Sequence, residues 1–327
     1  MIISRTPIRV SFCGGGTDLD EFAFVEPSGG RVTSVAMDQY VYVTLNPRFD
    51  DSIRVSYSSM EIVDALDDVQ HDLVREAMRL TGVTSGVEIT TIADIPGRGT
   101  GLGSSSSVTV GLLNALHAFI GRQPSKDQLA EEACHIEIDV LGAPIGRQDQ
   151  YAAAFGGANS ISFGPDGVLV EPVGLSDQTI DAIRNEFTLV YTGLTRSASR
   201  VLDEASDDSN DKLARLRAIR TQADGARTML ESGELKALGA LLNEAWLNKR
   251  GISPSVSNTE IDSLYDRIMG LGASGAKLLG AGAGGFFLVH GHASLRDRLT
   301  QELGPAIGLL PLGIDFDGST IIHGGGS

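Results

Sequence analysis

The residues with the plainest chemical content are glycines and serines set between apolar segments. Pro96-Gly-Arg-Gly-Thr-Gly-Leu-Gly-Ser-Ser-Ser-Ser107 places four alternating glycines before four serines. Val87, Ile89 and Thr91 alternate ahead of it and predict a strand, while Val108, Leu112, Leu116 and Phe119 follow at helical spacing. Glycine lets the backbone approach an anion and adopt positive φ. A helix N-terminus adds unpaired N–H groups and a partial positive charge. Strand, glycine loop and helix start together form a phosphate cradle, with Gly99, Gly101, Leu102, Gly103, Ser104, Ser105 and Ser106 as its candidate residues. The serine hydroxyls can bind phosphate or a magnesium ion. The alternative, a plain loop with a serine N-cap, has no need of so much glycine.

Two further glycine clusters frame this one. Phe12-Cys-Gly-Gly-Gly-Thr-Asp18 ends the first alternating segment. Gly15, Gly16 and Thr17 leave room for a ligand against bare backbone, and the Asp18 carboxylate can accept hydrogen bonds from sugar hydroxyls. A turn capped by the aspartate accounts for that cluster equally well. Gly280-Ala-Gly-Ala-Gly-Gly285 fits a dinucleotide fingerprint, but Phe286-Phe-Leu-Val-His290 after it reads as a strand where that fingerprint needs a helix. G-x-x-x-x-G-K-[ST] and the protein-kinase signatures are absent from the sequence.

The elements that must hold these loops are legible in outline. Ile8, Val10 and Phe12 alternate with Arg9 and Ser11, the period of a half-buried strand whose polar face is open. Val41, Val43 and Leu45 repeat that period, and Leu73, Ala77 and Leu80 mark a short helix. Ser125-Lys-Asp-Gln128 is a capping box opening a helix with the stripe Leu129, Ala133, Ile136 and Val140. A loop, Gly142-Ala-Pro-Ile-Gly146, precedes a short helix over Gln150–Phe155 that ends at Gly156-Gly157. After Asn185 the composition shifts: a strand with Phe187, Leu189 and Tyr191, one long helical stretch from about Asp203 to Arg250, and a helix centred on Ile261, Leu264 and Ile268. This divides the chain near residue 185, into residues 1–185 and 186–327.

Composition sets the outer bounds. The chain has 327 residues, 42% hydrophobic and 21% charged, the balance of a folded protein of about two domains. It carries 40 glycines, well above the usual ~7%. A net charge of −16 argues against a nucleic-acid partner, because phosphate backbones require a basic surface. No apolar run approaches the ~18 residues of a membrane span, and the opening MIISRTPIRV has no signal-peptide core, so a cytoplasmic location without membrane contact is expected. Cys13 and Cys134 lie far apart, which disfavours a disulfide framework or zinc site and fits a reducing compartment. The oligomeric state, homo-oligomer included, stays open.

At this point the residues resemble the galactokinase, homoserine kinase, mevalonate kinase and phosphomevalonate kinase superfamily. Its three motifs appear in order as Thr6-Pro-Ile-Arg-Val-Ser-Phe-Cys-Gly-Gly-Gly-Thr-Asp18, Ile95–Ser107 and Lys277-Leu-Leu-Gly-Ala-Gly-Ala-Gly-Gly285. The Gly-Gly-Gly-Thr-Asp variant and Gly146-Arg-Gln-Asp-Gln-Tyr-Ala-Ala-Ala-Phe-Gly-Gly157 most resemble the D-glycero-D-manno-heptose 7-phosphate kinase branch. Ala283 departs from the third motif, where glycine is usual, and a small effect is expected. The resemblance implies an α+β fold, with a first domain like ribosomal protein S5 domain 2 and a ferredoxin-like second domain. It also implies ATP with Mg²⁺ as cofactors, Gly282 near the nucleotide and a small sugar phosphate as acceptor.

The resemblance also implies roles. Asp149 corresponds to the aspartate that takes the substrate hydroxyl proton, and Arg9 to the first-strand cation beside it and the transferring phosphoryl. Glu137, twelve residues before Asp149, corresponds to the glutamate that holds Mg²⁺ and pairs with Ser105. Each has a plainer alternative: Asp149 as the N-cap of the next helix, Glu137 on a solvated helix face, Arg9 on the open face of an edge strand. For a distal phosphate the sequence offers Arg147, Arg196 and Lys249; the lysine continues the stripe Leu235, Leu238, Leu242 and Trp246 and can equally extend to solvent. Lys212, Arg215, Arg217 and Arg220 read as a solvated helix face paired with local acids. An unphosphorylated sugar such as fucose, or a weakly catalytic sugar-sensing regulator, are the alternative readings.

Overall fold

Strand β1 (Ile2–Cys13) is where the chain's organisation begins, because it is buried on both faces. Its even-numbered side chains Ile8, Val10 and Phe12 pack toward a second sheet, and Arg9 and Ser11, expected on an open face, are only 5% and 4% exposed. That face is covered by the glycine loop and by the helix carrying Asp149. A computed structural model of the chain describes residues 1–95, 99–194, 209–304 and 307–324.

The first sheet has eight strands among the described residues: β1, β2 (Gly30–Pro47), β3 (Ile53–Ser56), β4 (Met60–Val63), β5 (Val87–Ala93), β6 (Ala158–Gly164), β7 (Gly167–Pro172) and β12 (Thr320–His323). The path runs β12-β1-β2-β5-β3-β4, with β6 also on β2 and β7 on β6. Only β3 and β5 pair in parallel; the other pairings are antiparallel. The second sheet, β11 (Leu309–Pro311), β8 (Phe187–Tyr191), β10 (Phe286–His290) and β9 (Gly275–Leu278), is antiparallel in that order. The chain is therefore α+β with mixed sheets. The second sheet opens two residues past Asn185, but the chain's last strand crosses back to pair with β1, which a single cut at residue 185 does not anticipate.

On the first sheet lie α2 (Asp72–Thr81), α3 (Ser104–Phe119), α4 (Lys126–Cys134) and α5 (Gln148–Phe155), with a short α1 (Asp20–Ala23) against β6; α6 (Asp177–Glu186) packs against β8 of the second sheet. Helix α7 (Ser209–Ser232) lies against β1, β2 and β6 of the first sheet and packs on α8 (Leu235–Arg250), while α8, α9 (Thr259–Gly270) and α10 (Leu295–Leu303) pack around the second sheet. One core cluster fills the space between the first sheet and α2–α5, a second joins β1 to β8, α7 and α8, and a third gathers around Trp246 and Phe287. Phe12 and Phe187 meet edge to face at 5.6 Å across the second cluster, a pairing worth about 1 kcal/mol beyond its burial.

Three sequence expectations change. The helical stretch over 203–250 divides within its described part into two helices at Gly233, whose left-handed backbone (φ +73°) ends α7. The helix opened by Ser125 is capped by its Oγ, which accepts from the Gln128 N–H at 3.1 Å, but the Gln128 side chain donates onward to Glu132, so only half of a capping box forms. Its stripe does not reach Val140: after Cys134 the backbone widens into a π-helical turn, His135–Val140, and Val140 is exposed. That turn leaves Glu137 buried. Arg215 and Arg220 of α7 pair with the local acids Asp211 and Asp224 as expected, whereas Arg217 reaches Glu26 in the N-terminal part of the chain.

Candidate active site

Helix α3 is pressed onto β1 at Gly111, where a Cβ would stand 2.9 Å from Thr6 Oγ1. Ser4 Oγ donates to Gly111 O and Ser107 Oγ to Pro7 O, both at 2.8 Å. These contacts fix the N-terminus of α3 beside Arg9, whose own N–H donates to Leu102 O at 3.0 Å. The helix is preceded by Gly103 in left-handed backbone and no side chain caps it. A serine N-cap is thus not the purpose of the four serines, and the first N–H groups of α3 keep their anion-binding character.

Asp149 lies inside the first turn of α5, one residue past its start, and does not cap it. Arg9 Nε and Nη2 both lie 2.7 Å from Asp149 Oδ1, and Arg9 Nη1 donates to Gly101 O at 2.5 Å. One guanidinium therefore ties the candidate base to the glycine loop. Asp149 Oδ2 accepts from no donor among the described residues. A Cβ on Gly103 would sit 3.0 Å from this carboxylate, so glycine is what lets base and helix start meet.

The four serines divide by task. Ser104 Oγ pairs with Thr100 Oγ1 at 3.2 Å, and both Ser104 and Ser107 are buried in the scaffold. Ser105 is exposed, and its Oγ donates to Glu137 Oε1 at 3.3 Å; Ser106 also hydrogen-bonds Glu137. Glu137 is 3% exposed, so it is not on a solvated face. Its Oε2 accepts from Gln150 Nε2 at 2.6 Å. Burial pushes its carboxyl up to about 7, against hydrogen bonds from Ser106 and Gln150 that pull it down.

The first glycine cluster forms a turn over the end of β1. Thr17 is fully buried, and its Oγ1 donates to Gly14 O at 2.8 Å and Arg31 O at 3.0 Å while accepting from Arg31 N. Its hydroxyl is therefore committed to the turn, so the structure does not offer it to a substrate. Gly15 and Gly16 meet no backbone, and Gly16 faces Leu216 of α7. Asp18 is 2% exposed and accepts from Gly16 N, Gln148 N and Gln148 Nε2 at 2.9, 3.2 and 3.0 Å. Burial and then the Asp149 charge raise its carboxyl above the ordinary range.

The expected distal-phosphate cations fare differently. Arg147 is taken up by Asp20 in a two-pronged pair at 2.8 and 2.9 Å. Arg196 lies outside the described residues. Lys249 does not extend to solvent: it turns inward, donating to Gly280 O and to Leu278 O, the latter at 3.5 Å. Lys277, given no role by the sequence, is buried in β9 and donates to Ser11 O and Phe12 O at 2.7 and 2.9 Å. Burial lowers Lys249 to about 7, helped by the charges of Lys277 and Arg9, and lowers Lys277 to about 8. Three cations thus gather between the first and third glycine clusters. A lone lysine in an apolar strand, Gly275-Ala-Lys-Leu278, was the available signal for Lys277.

The third cluster serves packing as much as binding. A Cβ on Gly101 would meet Leu279 O at 2.6 Å, one on Gly280 would meet Gly101 Cα at 2.3 Å, and one on Gly282 would meet Val256 O at 2.7 Å. The second and third motifs therefore interlock backbone to backbone, with Gly99 (φ +68°) at the near edge of the described loop. Ala283 holds φ +61°, the only non-glycine residue with positive φ among those described. Its departure from glycine costs left-handed strain of about 1–2 kcal/mol, offset in part by burying one methyl group, about 0.8 kcal/mol.

An uncapped helix start behind a glycine loop, a carboxylate with one free oxygen, an arginine joining the two and a buried glutamate on a neighbouring serine are the parts of a small-molecule kinase. Profiles of protein families agree: the GHMP kinase N-terminal domain matches residues 67–157 and the GHMP kinase C-terminal domain residues 226–305. Together they span just over half of the chain, which belongs to the GHMP kinases and is an ATP-dependent phosphotransferase. Among similar proteins, the D-glycero-alpha-D-manno-heptose 7-phosphate kinase of Campylobacter jejuni is 29% identical over 303 residues, covering 87% of this chain and 88% of that one. The L-fucokinase/L-fucose-1-P guanylyltransferase of Bacteroides fragilis is 24% identical over 88% of this chain, which spans 34% of that protein. The crystal structure of a D-glycero-D-manno-heptose 1-phosphate kinase from Bacteroides thetaiotaomicron shares the fold, with a TM-score of 0.80, 22% identity and 98% of each chain covered. No helix among the described residues is long and apolar enough to cross a membrane.

Proposed function

We propose that the protein transfers the γ-phosphoryl group of ATP to the anomeric hydroxyl of a heptose 7-phosphate, giving the 1,7-bisphosphate and ADP in the cytoplasm. The observation that carries this reading is the Arg9–Asp149 contact against the start of α3. Arg9 holds Oδ1, which leaves Oδ2 to accept the proton of the attacking hydroxyl. The same guanidinium, with the N–H groups at the start of α3, offsets charge on the transferring group. Asp18 orients the sugar ring, and the cations Lys249 and Lys277 favour a phosphorylated ligand in a protein that is otherwise acidic. The two units are read as ribosomal protein S5 domain 2-like, to about residue 185, and ferredoxin-like after it.

Ser105 and Glu137 fit a Mg²⁺ ion held with nucleotide. Among the described residues no cluster of three or more His, Cys, Asp or Glu could hold a metal, and Mg²⁺ in kinase sites takes one or two protein ligands plus phosphates. A buried carboxylate beside an exposed hydroxyl is that pattern. When bound, the ion would neutralise the ATP phosphates.

An unphosphorylated sugar is the second reading, favoured by Lys249 spending its hydrogen bonds on backbone carbonyls and Arg147 on Asp20. A screen of ATP consumption across sugars and sugar phosphates decides between them. Turnover that is fastest with heptose 7-phosphate is expected; a clear preference for fucose or another free sugar moves the second reading ahead.

A further inference from the structure

Ile8, Arg9, Val10 and Ser11 pair with Met37, Ala36, Val35 and Ser34 of β2 in unbroken register, so Arg9 and Ser11 present their side chains to the same face. Arg9 engages Asp149 and the glycine loop there. Ser11 is only 4% exposed, and its Oγ has no hydrogen-bond partner among the described residues. The Oγ of Ser34, opposite it on β2, is unpartnered and fully enclosed, whereas that of Ser11 is not enclosed. A nearly buried hydroxyl left unpaired on an open side calls for a partner that arrives from outside the chain.

The open side lies over Gly15, which is itself partly exposed. Apart from its chain neighbours, a Cβ built on Gly15 would have only Gln148 Nε2, at 3.7 Å, and Ser11 Oγ, at 3.8 Å, within 4 Å. Gln148 Nε2 carries two N–H groups. One donates to Asp18 Oδ1 at 3.0 Å, and the other has no partner among the described residues. A hydroxyl and an amide N–H, both unspent, therefore border one opening floored by bare backbone. Residues two apart on one strand face stand about 7 Å from each other, so Ser11 is set one sugar's width from Arg9 and the candidate base. Asp18 and Asp149 are near enough for their charges to interact, and Arg147 is spent on Asp20. This corner suits a neutral hydroxyl and disfavours a phosphate.

We propose that Ser11 is a specificity-determining residue: its hydroxyl, with the second N–H of Gln148, binds one hydroxyl of the acceptor over the bare backbone of Gly15. The inference deepens the sugar-kinase reading and rests on it. The acceptor's oxygen accepts from the Gln148 N–H, and its own hydrogen is met by Ser11 Oγ, which can donate or accept. Alanine in place of Ser11 leaves that hydroxyl short of a partner, and a side chain on Gly15 takes up its room. A phosphate on the sugar lies away from this corner.

The test compares wild type with Ser11→Ala, which removes a single oxygen, on heptose 7-phosphate and its monodeoxy analogues at saturating ATP. The variant should lose roughly three- to tenfold in kcat/KM with the parent sugar, the range of a single hydrogen bond. One deoxy analogue should cost wild type about the same factor and the variant nothing further, while KM for ATP stays within about twofold. Protection by ATP against heat reports that the variant folds. Should it not, Gly15→Ala answers in its place: the φ of Gly15 lies outside the left-handed region and the new methyl group would stand 3.7 Å from its nearest neighbour, so the fold accepts it. That methyl group should raise KM for the sugar about threefold or more and leave KM for ATP unchanged. A Ser11→Ala enzyme that matches wild type on the parent sugar, that discriminates among the analogues as wild type does, or whose defect lies in KM for ATP overturns this inference alone, as does a sugar KM unmoved by Gly15→Ala. A wild type inactive on heptose 7-phosphate overturns it together with the reading beneath it.

Discussion

Arg9 and Asp149 stand 140 residues apart in the chain and share contacts of 2.7 Å. Both were legible because the motifs that carry them resemble those of a known kinase superfamily. Glu137 and Ser105 were paired on the same resemblance, and their side chains meet. The side chains whose contacts could not be foreseen are those whose partners come from elsewhere in the sequence. Thr17 spends its hydroxyl on Gly14 and Arg31, Arg147 meets Asp20, and Lys249 meets carbonyls of the third glycine cluster. Residue type announces a capacity, and only the fold says where it is spent. At this scale the sharpest expectation concerns Asp149→Asn, which keeps size and the contact with Arg9 but cannot take up the proton. Turnover should fall by roughly 10²–10⁴-fold, while ATP still protects the protein against heat. A kcat within about threefold of wild type would make Asp149 a structural residue.

The strands and helices next to the motifs were readable from period alone: β1, β5, β8, β10, α3 and α5 lie where alternation or helical spacing put them. Strands β6, β7 and β12 went unseen, since β6 and β7 run through Ser- and Gly-bearing sequence and β12 is four residues long, so their stability comes from the strands they pair with. The π-helical turn at His135–Val140 is likewise a tertiary effect, imposed where Glu137 must face inward. The interlock of the second and third motifs can be tested at this scale by a matched pair. Gly101 and Gly121 share φ +74°, but a Cβ at Gly101 would strike backbone atoms of Leu279 and Gly280, whereas one at Gly121 meets nothing within 4 Å. Both alanine variants carry the left-handed penalty of about 1–2 kcal/mol. Gly101→Ala should lose clearly more in a denaturant titration, and should lose ATP protection as well. Equal losses would show that the two loops are not held by this contact.

For the whole molecule, the feature that composition alone conceals is a local reversal of charge. A chain of net charge −16 gathers Arg9, Lys249 and Lys277 within electrostatic reach of one another, around the ends of two glycine loops. Burial and mutual repulsion lower Lys249 from its ordinary 10.5 to about 7. Between those pH values the unfolded chain holds a proton on this lysine that the folded chain releases, so its contribution to stability rises with pH across that window and is flat below it. Thermal unfolding from pH 6 to 9.5 should therefore show wild type gaining on Lys249→Met above pH 7. A constant difference would place Lys249 in an ordinary solvated setting.

Phosphorus NMR reads directly where the phosphoryl group goes. Incubated with heptose 7-phosphate and ATP-Mg²⁺, the protein should produce ADP and, in equal amount, a second sugar phosphorus signal split by the anomeric proton, with both signals falling together in Asp149→Asn. ATP converted to ADP and inorganic phosphate at a rate indifferent to the sugar, or a new phosphate on any carbon other than the anomeric one, would contradict transfer to the anomeric hydroxyl.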